Sequence, residues 1–440
     1  VIGVADSRLE SERPWSRDRD FASMTRSTLS AVAGGRLRSL PVTLRFWDGS
    51  TVVSEDLGAG APVVSVDSPR ALAYLLREPN QLGLARAWVT GAVDADDDLE
   101  QVLRARSSFD GLRLSAVDRV RLGWAGLRAG NSALLRRPPI PPIEAARRAG
   151  RHSPGEDRRA VRHHYDVSND FYRLILGPSM TYSCAYFASP ADTLETAQEQ
   201  KHELVSRKLR LVAGDRLLDI GCGWGSMLIH AATHHGVRGV GVTLSEPQAE
   251  LARERIREAG LSKRLEVRVA DYREIRDGPF DKAVSIGMYE HVGASQLSRY
   301  AGTVRGLLRP GGLFLNHGIA RLMSTGPRGD TFISRYIFPD GELHPVAAII
   351  EAMQNAGLEV RDVESLREHY PLTLRRWAGN LKAHRAEAIA TSSSERERAW
   401  RLYMLGSAQA FEAGEITVYQ VLAARDGAPH GLPLQRGAAG

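Results

Sequence analysis

Cysteine is scarce in this chain: of 440 residues only Cys184 and Cys222 are cysteines. That excludes a disulfide framework and makes a reducing cytoplasm the expected setting. No apolar run approaches the roughly 18 residues of a membrane span, and no basic-then-apolar pattern opens the chain, so any membrane contact is expected to be peripheral. Internal repeats and low-complexity segments are lacking too. Lysine is rare and first occurs at Lys201, so arginine carries most of a formal net charge of +6. Such a balance favours anionic partners, nucleic acid or acidic phospholipid, without choosing between them. The hydrophobic fraction of 43% is that of an ordinary globular protein, and the length accommodates two domains.

Residues 1–22 are charged and turn-rich and read as a loose tail. Residues 23–137 read as a small α+β accessory domain. Its signals are the alternation in Val42-Thr43-Leu44-Arg45-Phe46-Trp47, the turn Asp48-Gly49-Ser50, a return strand, and a helical segment over 69–76. No catalytic constellation is visible there. At its end, 117–137 mixes Arg119, Arg121, Arg128, Arg136 and Arg137 with Val120, Leu122, Trp124, Leu127, Leu134 and Leu135. This suits a helix lying on an anionic bilayer or, as the commoner arrangement, a helix packed on its own domain with a solvated basic face. Pro138-Pro139-Ile140-Pro141-Pro142 cannot continue a helix and opens a linker over 138–160. Strands then alternate with helices over 161–425, which predicts a parallel, doubly wound α/β sheet. Residues 321–385 read as an insertion over the active site, 359–363 and 416–422 as the last strands, and 426–440 as a frayed tail.

The stretch Leu217-Leu218-Asp219-Ile220-Gly221-Cys222-Gly223-Trp224-Gly225-Ser226 reads as a buried strand, a glycine turn and the start of a helix. Glycines there let a ligand press against the backbone at the carboxyl end of the strand. A dinucleotide fold would place an acid for the ribose at the end of the second strand. Here that strand, 238–242, runs into Thr243-Leu244-Ser245-Glu246-Pro247-Gln248, in which Ser245 and Gln248 can form a capping box. The third strand, 265–269, runs into Ala270-Asp271-Tyr272-Arg273, an acid and an aromatic suited to an adenine face and its amine. The grouping favours S-adenosylmethionine over NAD. Metal sites are not expected, because His163-His164 and His234-His235 lack cysteine or carboxylate partners at ligand spacing.

Several separated segments resemble the cyclopropane-fatty-acyl-phospholipid synthase family, relatives of the mycolic acid cyclopropane synthases. They are Tyr165-Asp166-Val167-Ser168-Asn169-Asp170-Phe171-Tyr172, Met180-Thr181-Tyr182-Ser183-Cys184, the glycine turn, Val284-Ser285-Ile286-Gly287-Met288-Tyr289-Glu290-His291-Val292-Gly293, Tyr336-Ile337-Phe338-Pro339-Asp340-Gly341, and Tyr370-Pro371-Leu372-Thr373-Leu374-Arg375-Arg376-Trp377. The resemblance implies a Rossmann-like class I S-adenosylmethionine-dependent methyltransferase domain behind a smaller accessory domain of the kind found in phospholipid-acting members. It implies methyl transfer to the cis double bond of unsaturated phospholipid acyl chains at the inner face of the plasma membrane. The product would be a cyclopropane or a methylene branch, the latter calling for a separate reductase partner.

By the same resemblance, a bound bicarbonate serves as base, cradled by Cys184, Glu290, His317 and Tyr370. The methyl donor would be held by Tyr182, Ser183, Gly221, Cys222, Gly223, Thr243, Ser245, Gln248, Asp271 and Tyr272. Ser407 stands where many members carry a second cysteine, so a covalent role at that position is not available. A homodimer is left open. Methylation of a small soluble amine or phenol is the alternative activity, and nucleic acid is not an expected partner, for want of a base-flipping or binding motif.

Overall fold

A computed structural model describes residues 20–32, 41–53, 60–95, 98–105, 115–128, 137–145, 168–322, 331–339 and 341–434. His163, His164, the motif residues 165–167 and Asp340, most of the linker, and residues 1–19 and 435–440 of the two expected tails lie outside the described residues. The chain divides into two compact units, 1–141 and 142–440.

The first unit has helix α1 (Phe21–Val32), strands β1 (Thr43–Phe46), β2 (Thr51–Val52) and β3 (Val63–Val66), and helices α2 (Arg70–Arg77), α3 (Gln81–Val89), α4 (Leu99–Arg104) and α5 (Ala116–Arg128). β1 pairs antiparallel with β2 through the expected hairpin and parallel with β3. Phe21, Ala22, Phe46, Val52, Leu72 and Ala125 form its core. Helix α1 thus starts inside the segment read as tail, because Phe21 is buried against the rings of Phe46 and Trp47. In α5, Ala125 joins this core and Leu122 is buried, while Val117, Val120 and Trp124 are 57%, 72% and 58% exposed.

Among its described residues the second unit has α6 (Asn169–Leu176) and α7 (Leu194–Leu209), then β4 (Arg216–Ile220), α8 (Ser226–His235), β5 (Arg238–Thr243), α9 (Glu246–Glu258), β6 (Leu265–Val269) and β7 (Phe280–Ile286). There follow α10 (Leu297–Leu307), β8 (Leu308–Arg321), α11 (Phe332–Tyr336), α12 (Val346–Asn355), β9 (Leu358–Ser365), α13 (His369–Ala383), α14 (Arg385–Thr391), α15 (Ser394–Glu412) and β10 (Ile416–Arg425). The seven strands run in the order β6-β5-β4-β7-β8-β10-β9. β4 is buried along four of its five residues, as a strand covered on both faces must be, and it reads as an apolar run rather than an alternation.

One expectation is corrected: the sheet is mixed, because β10 joins β8 and β9 antiparallel. Near the start of the 14-residue β8, Arg309-Pro310-Gly311-Gly312 forms a break in register, since Phe280 pairs with Leu308 and Lys282 with Leu313, and Gly311 takes φ of +71°. The strand order reverses between β4 and β7, which leaves a crevice at their carboxyl ends, the place where open α/β sheets bind ligands.

Candidate active site

The glycine turn lies at that crevice. Gly221 and Gly223 take φ of +81° and +54°, a region where a side chain strains the backbone, and a Cβ on Gly221 would come within 3.0 Å of Met288 Cγ. The backbone N–H groups of Gly221 and Cys222 both donate to Val242 O, at 2.9 and 3.0 Å, tying the turn to β5. Arg255 of α9 pins it from the other side, donating to Trp224 O at 2.7 Å and to Ser179 O at 3.0 Å. Gln198 of α7 donates to Ser183 O at 2.9 Å, so the strap 179–184 is held over the turn.

One cleft results, and nine of the ten expected donor-site residues line it: Tyr182, Ser183, Gly221, Cys222, Gly223, Thr243, Gln248, Asp271 and Tyr272. Ser245 does not line it. It is buried and caps α9 by accepting from Gln248 N at 3.4 Å. Only half of the expected capping box forms, because the Gln248 amide is taken by the Thr243 hydroxyl at 2.8 Å. Asp271 is clamped by Arg273, with Nε to Oδ1 at 2.8 Å and Nη2 to Oδ2 at 2.5 Å, and that guanidinium lies 5.5 Å from the Tyr272 ring centre. Cys222 is a buried thiol whose pKa burial raises well above the ordinary value, so it is a small wall residue rather than a nucleophile.

Lys201 and Asp219 also line the cleft. Lys201, 1% exposed, donates to Ser183 Oγ at 3.1 Å. Burial pulls its amine down to about 7 and pushes the Asp219 carboxyl up to about 7, against the attraction between the two.

Cys184, Glu290, His317 and Tyr370 do not line this cleft, although Ser183 and His291, neighbours of the first two, do. Cys184 is fully buried, with Sγ 3.3 Å from Ala185 O, and burial keeps it a neutral thiol. Glu290 sits in the 3-10 turn Tyr289–His291, where Oε1 accepts the Ile319 N–H at 2.7 Å. Burial raises its pKa, and Oε2 is buried without a partner. His317 lies on β8 opposite Gln420, whose amide nitrogen is 3.2 Å from Nδ1. With the amide so placed, Nδ1 accepts and the ring proton is on Nε2. Burial, with Lys201 and Lys208 nearby, holds the imidazole well below its ordinary pKa, and Nε2 is buried without a partner. Tyr370, in the first turn of α13, stacks 4.5 Å from the Phe411 ring. In the turn after β7 and on β8, then, an acid and a neutral imidazole each keep one unsatisfied buried atom. That is an expensive arrangement unless a small polar group completes it.

The family described as mycolic acid cyclopropane synthetase matches residues 152–421. A probable fatty acid methyltransferase of Mycobacterium tuberculosis is 42% identical over 399 residues, 88% of this chain and 91% of that protein. The tuberculostearic acid methyltransferase UfaA1 of the same organism is 34% identical over 417 residues, 91% and 92% of the two chains. Among solved structures, the mycolic acid cyclopropane synthase CmaA1 complexed with SAH and CTAB superposes with a TM-score of 0.58 at 34% identity, covering 61% of this chain and 98% of that one. This chain belongs to the mycolic acid cyclopropane synthetase family. It is an S-adenosylmethionine-dependent methyltransferase.

Three groups in the enzyme's site were not singled out from the sequence. Lys201 is one, since a lysine on an amphipathic helix normally faces solvent; its rarity in the chain was the only hint. Met288 and His291 are the second, lining the cleft from the turn after β7. The third is an aromatic wall. Tyr182 stands 5.3 Å from Trp377, 5.6 Å from Trp400 and 6.5 Å from Phe338 by ring centres, and its hydroxyl is 3.2 Å from that of Tyr403.

Proposed function

We propose that the enzyme methylates the cis double bond of unsaturated acyl chains in membrane phospholipid and leaves a methylene branch. Two observations support the acyl assignment: the aromatic cluster around Tyr182, and the buried Glu290 Oε2 and His317 Nε2 left without partners. An alkene is a feeble nucleophile, so the site must align it, exclude water, and face the resulting cation with π-surfaces and a base. Tyr182, Phe338, Trp377 and Tyr403 provide such surfaces.

S-Adenosylmethionine, when bound, supplies an electrophilic methyl on a sulfonium. Gly221, Cys222, Gly223 and Ser183 would seat its amino-acid end near Lys201, Asp271 and Tyr272 would hold its adenine, and Thr243 and Gln248 would complete that wall. The donor set beside β8 also fits bicarbonate, which supplies a base when bound. A neutral His317 presents an Nε2–H, and Glu290 Oε2 accepts a hydroxyl proton. The Cys184 thiol and the Tyr370 hydroxyl would complete the cradle. His317 keeps that N–H pointed inward because Gln420 occupies its other nitrogen.

Likeness along nearly the whole chain to fatty acid methyltransferases, one of them a tuberculostearic acid methyltransferase, favours the branched product. The match to a cyclopropane synthase over the catalytic unit is the observation behind the second reading, ring closure. A methylene branch then calls for a separate hydride-donating reductase. Access to the lipid fits helix α5, whose exposed Val117, Val120 and Trp124 flank the exposed Arg121, an amphipathic surface suited to anionic headgroups at the inner face of the plasma membrane. No helix among the described residues is long and apolar enough to cross a membrane.

Expression in a host rich in oleoyl lipids, with chromatographic separation and mass spectrometry of the acyl products, tests the proposal. Both products gain one CH2, but only the methylene isomer takes up hydrogen on catalytic reduction. Oleoyl lipids left unchanged with donor present would refute acyl methylation. A product that resists hydrogenation would replace the branch with the ring.

A further inference from the structure

Sequence spacing leaves His234-His235 without a carboxylate partner, but helix packing supplies one from 32 residues away. Glu203 of α7 lies against the carboxyl-terminal half of α8, where His235 Nε2 is 2.9 Å and His230 Nε2 3.3 Å from the same oxygen, Glu203 Oε2. The three ligand atoms all lie within 4.8 Å of one another. In a tetrahedral site with bonds of roughly 2.0–2.1 Å, adjacent ligand atoms stand about 3.3 Å apart, so small side-chain rotations would close these three around one ion.

We propose that Glu203, His230 and His235 form a binding site for a divalent transition-metal ion of the zinc class, with a fourth position open to water. Two imidazoles and one carboxylate are a donor set for such ions, whereas calcium and magnesium favour oxygen ligands throughout. Metal ligands must present a free lone pair, so each ring proton sits on Nδ1 when Nε2 binds the ion.

Arg207 Nε lies 3.9 Å from the other carboxylate oxygen, Oε1, which orients the group and leaves Oε2 to the histidines. Side-chain exposures of 38% for Glu203 and 19% for His235 give an ion a way in. The His202 ring, 5.6 Å from that of His230, lines the methyl-donor cleft, so a bound cation would sit one side chain from the donor seat.

The test uses the full-length enzyme without a polyhistidine tag, stripped with a chelator and titrated with Co2+ under visible absorption, with Zn2+ as competitor. We expect one cobalt ion per chain, displaced by zinc, and affinity weakened tenfold or more in both Glu203→Gln and His235→Gln. The stripped variants should unfold at the wild-type temperature and bind S-adenosylhomocysteine as wild type does. Failure of the wild type to take up cobalt stoichiometrically at micromolar concentration would overturn the assignment, as would uptake that either variant leaves undiminished.

Discussion

Gly318 lies in the middle of β8, directly after His317, and offers a sharp test of how Glu290 is held. A Cβ there would stand 2.0 Å from Tyr289 Cε1 and 2.2 Å from Cδ1, where ordinary carbon contacts are about 3.5–4.0 Å. In Gly318→Ala the ring must therefore retreat by roughly 1.5 Å. Tyr289 is anchored by its hydroxyl, which donates to Ile319 O at 2.8 Å, and Glu290 by the Ile319 N–H at 2.7 Å. Both hydrogen bonds are strained together. Overpacking of this kind costs about 1–3 kcal/mol, and a weakened bond to a carboxyl group adds about 1.5 kcal/mol. A loss of about 2.5–4.5 kcal/mol is expected in denaturant unfolding. Displacing the acid by about 1 Å should lower methyl transfer roughly a hundredfold. Transfer of labelled methyl into phospholipid vesicles reads the rate, and calorimetry with S-adenosylhomocysteine reads how far the shift reaches Met288 and His291, which line the donor cleft. A variant with wild-type stability and wild-type rate would refute this account of Glu290.

Lys201→Met keeps the buried stem and removes the ammonium. If Lys201 supports the donor's carboxylate through Ser183, affinity for S-adenosylhomocysteine should fall about ten- to a hundredfold, the worth of a charged hydrogen bond; unchanged affinity would make the lysine a structural partner of Asp219 alone. His317 should leave a mark on stability against pH. Burial lowers its folded pKa, so below about 6.5 the unfolded chain takes a proton that the folded one refuses, and the stability His317 contributes above that pH is lost as pH falls toward the folded value. Asp219 and Glu290, whose pKa values burial raises, bend the profile the other way, so the quantity to read is the gap between wild type and His317→Asn. That gap should narrow by up to ~1.4 kcal/mol per pH unit below 6.5, and a constant gap would refute the buried neutral imidazole.

What could be read from the sequence was local. The apolar strand before Gly221, the capping serine at Ser245 and the acid and aromatic after β6 each depend on residues a few positions apart, and each lies where the pattern indicated. The extent of β8 was not legible. Arg309-Pro310-Gly311-Gly312 carries every local mark of a turn, and only the tertiary structure shows that Leu308 before it still pairs with β7 across a break in register.

The candidate site divides the same way. The family resemblance pointed to Glu290 and His317 as site residues, but nothing along the chain says that Ile319 pairs with one and Gln420 with the other, since those partners lie 29 and 103 residues away. Lys201 shows the limit best. Its charge marks it for solvent, and only the packing of α7 beneath the strap 179–184 buries it beside Ser183 and the Asp219 carboxyl. Backbone conformation and residue chemistry are set within a few residues, and the sequence alone determined them here. Burial, and with it the charge state of a buried acid or amine, depends on which distant surfaces close over the group, and only the tertiary structure decided that.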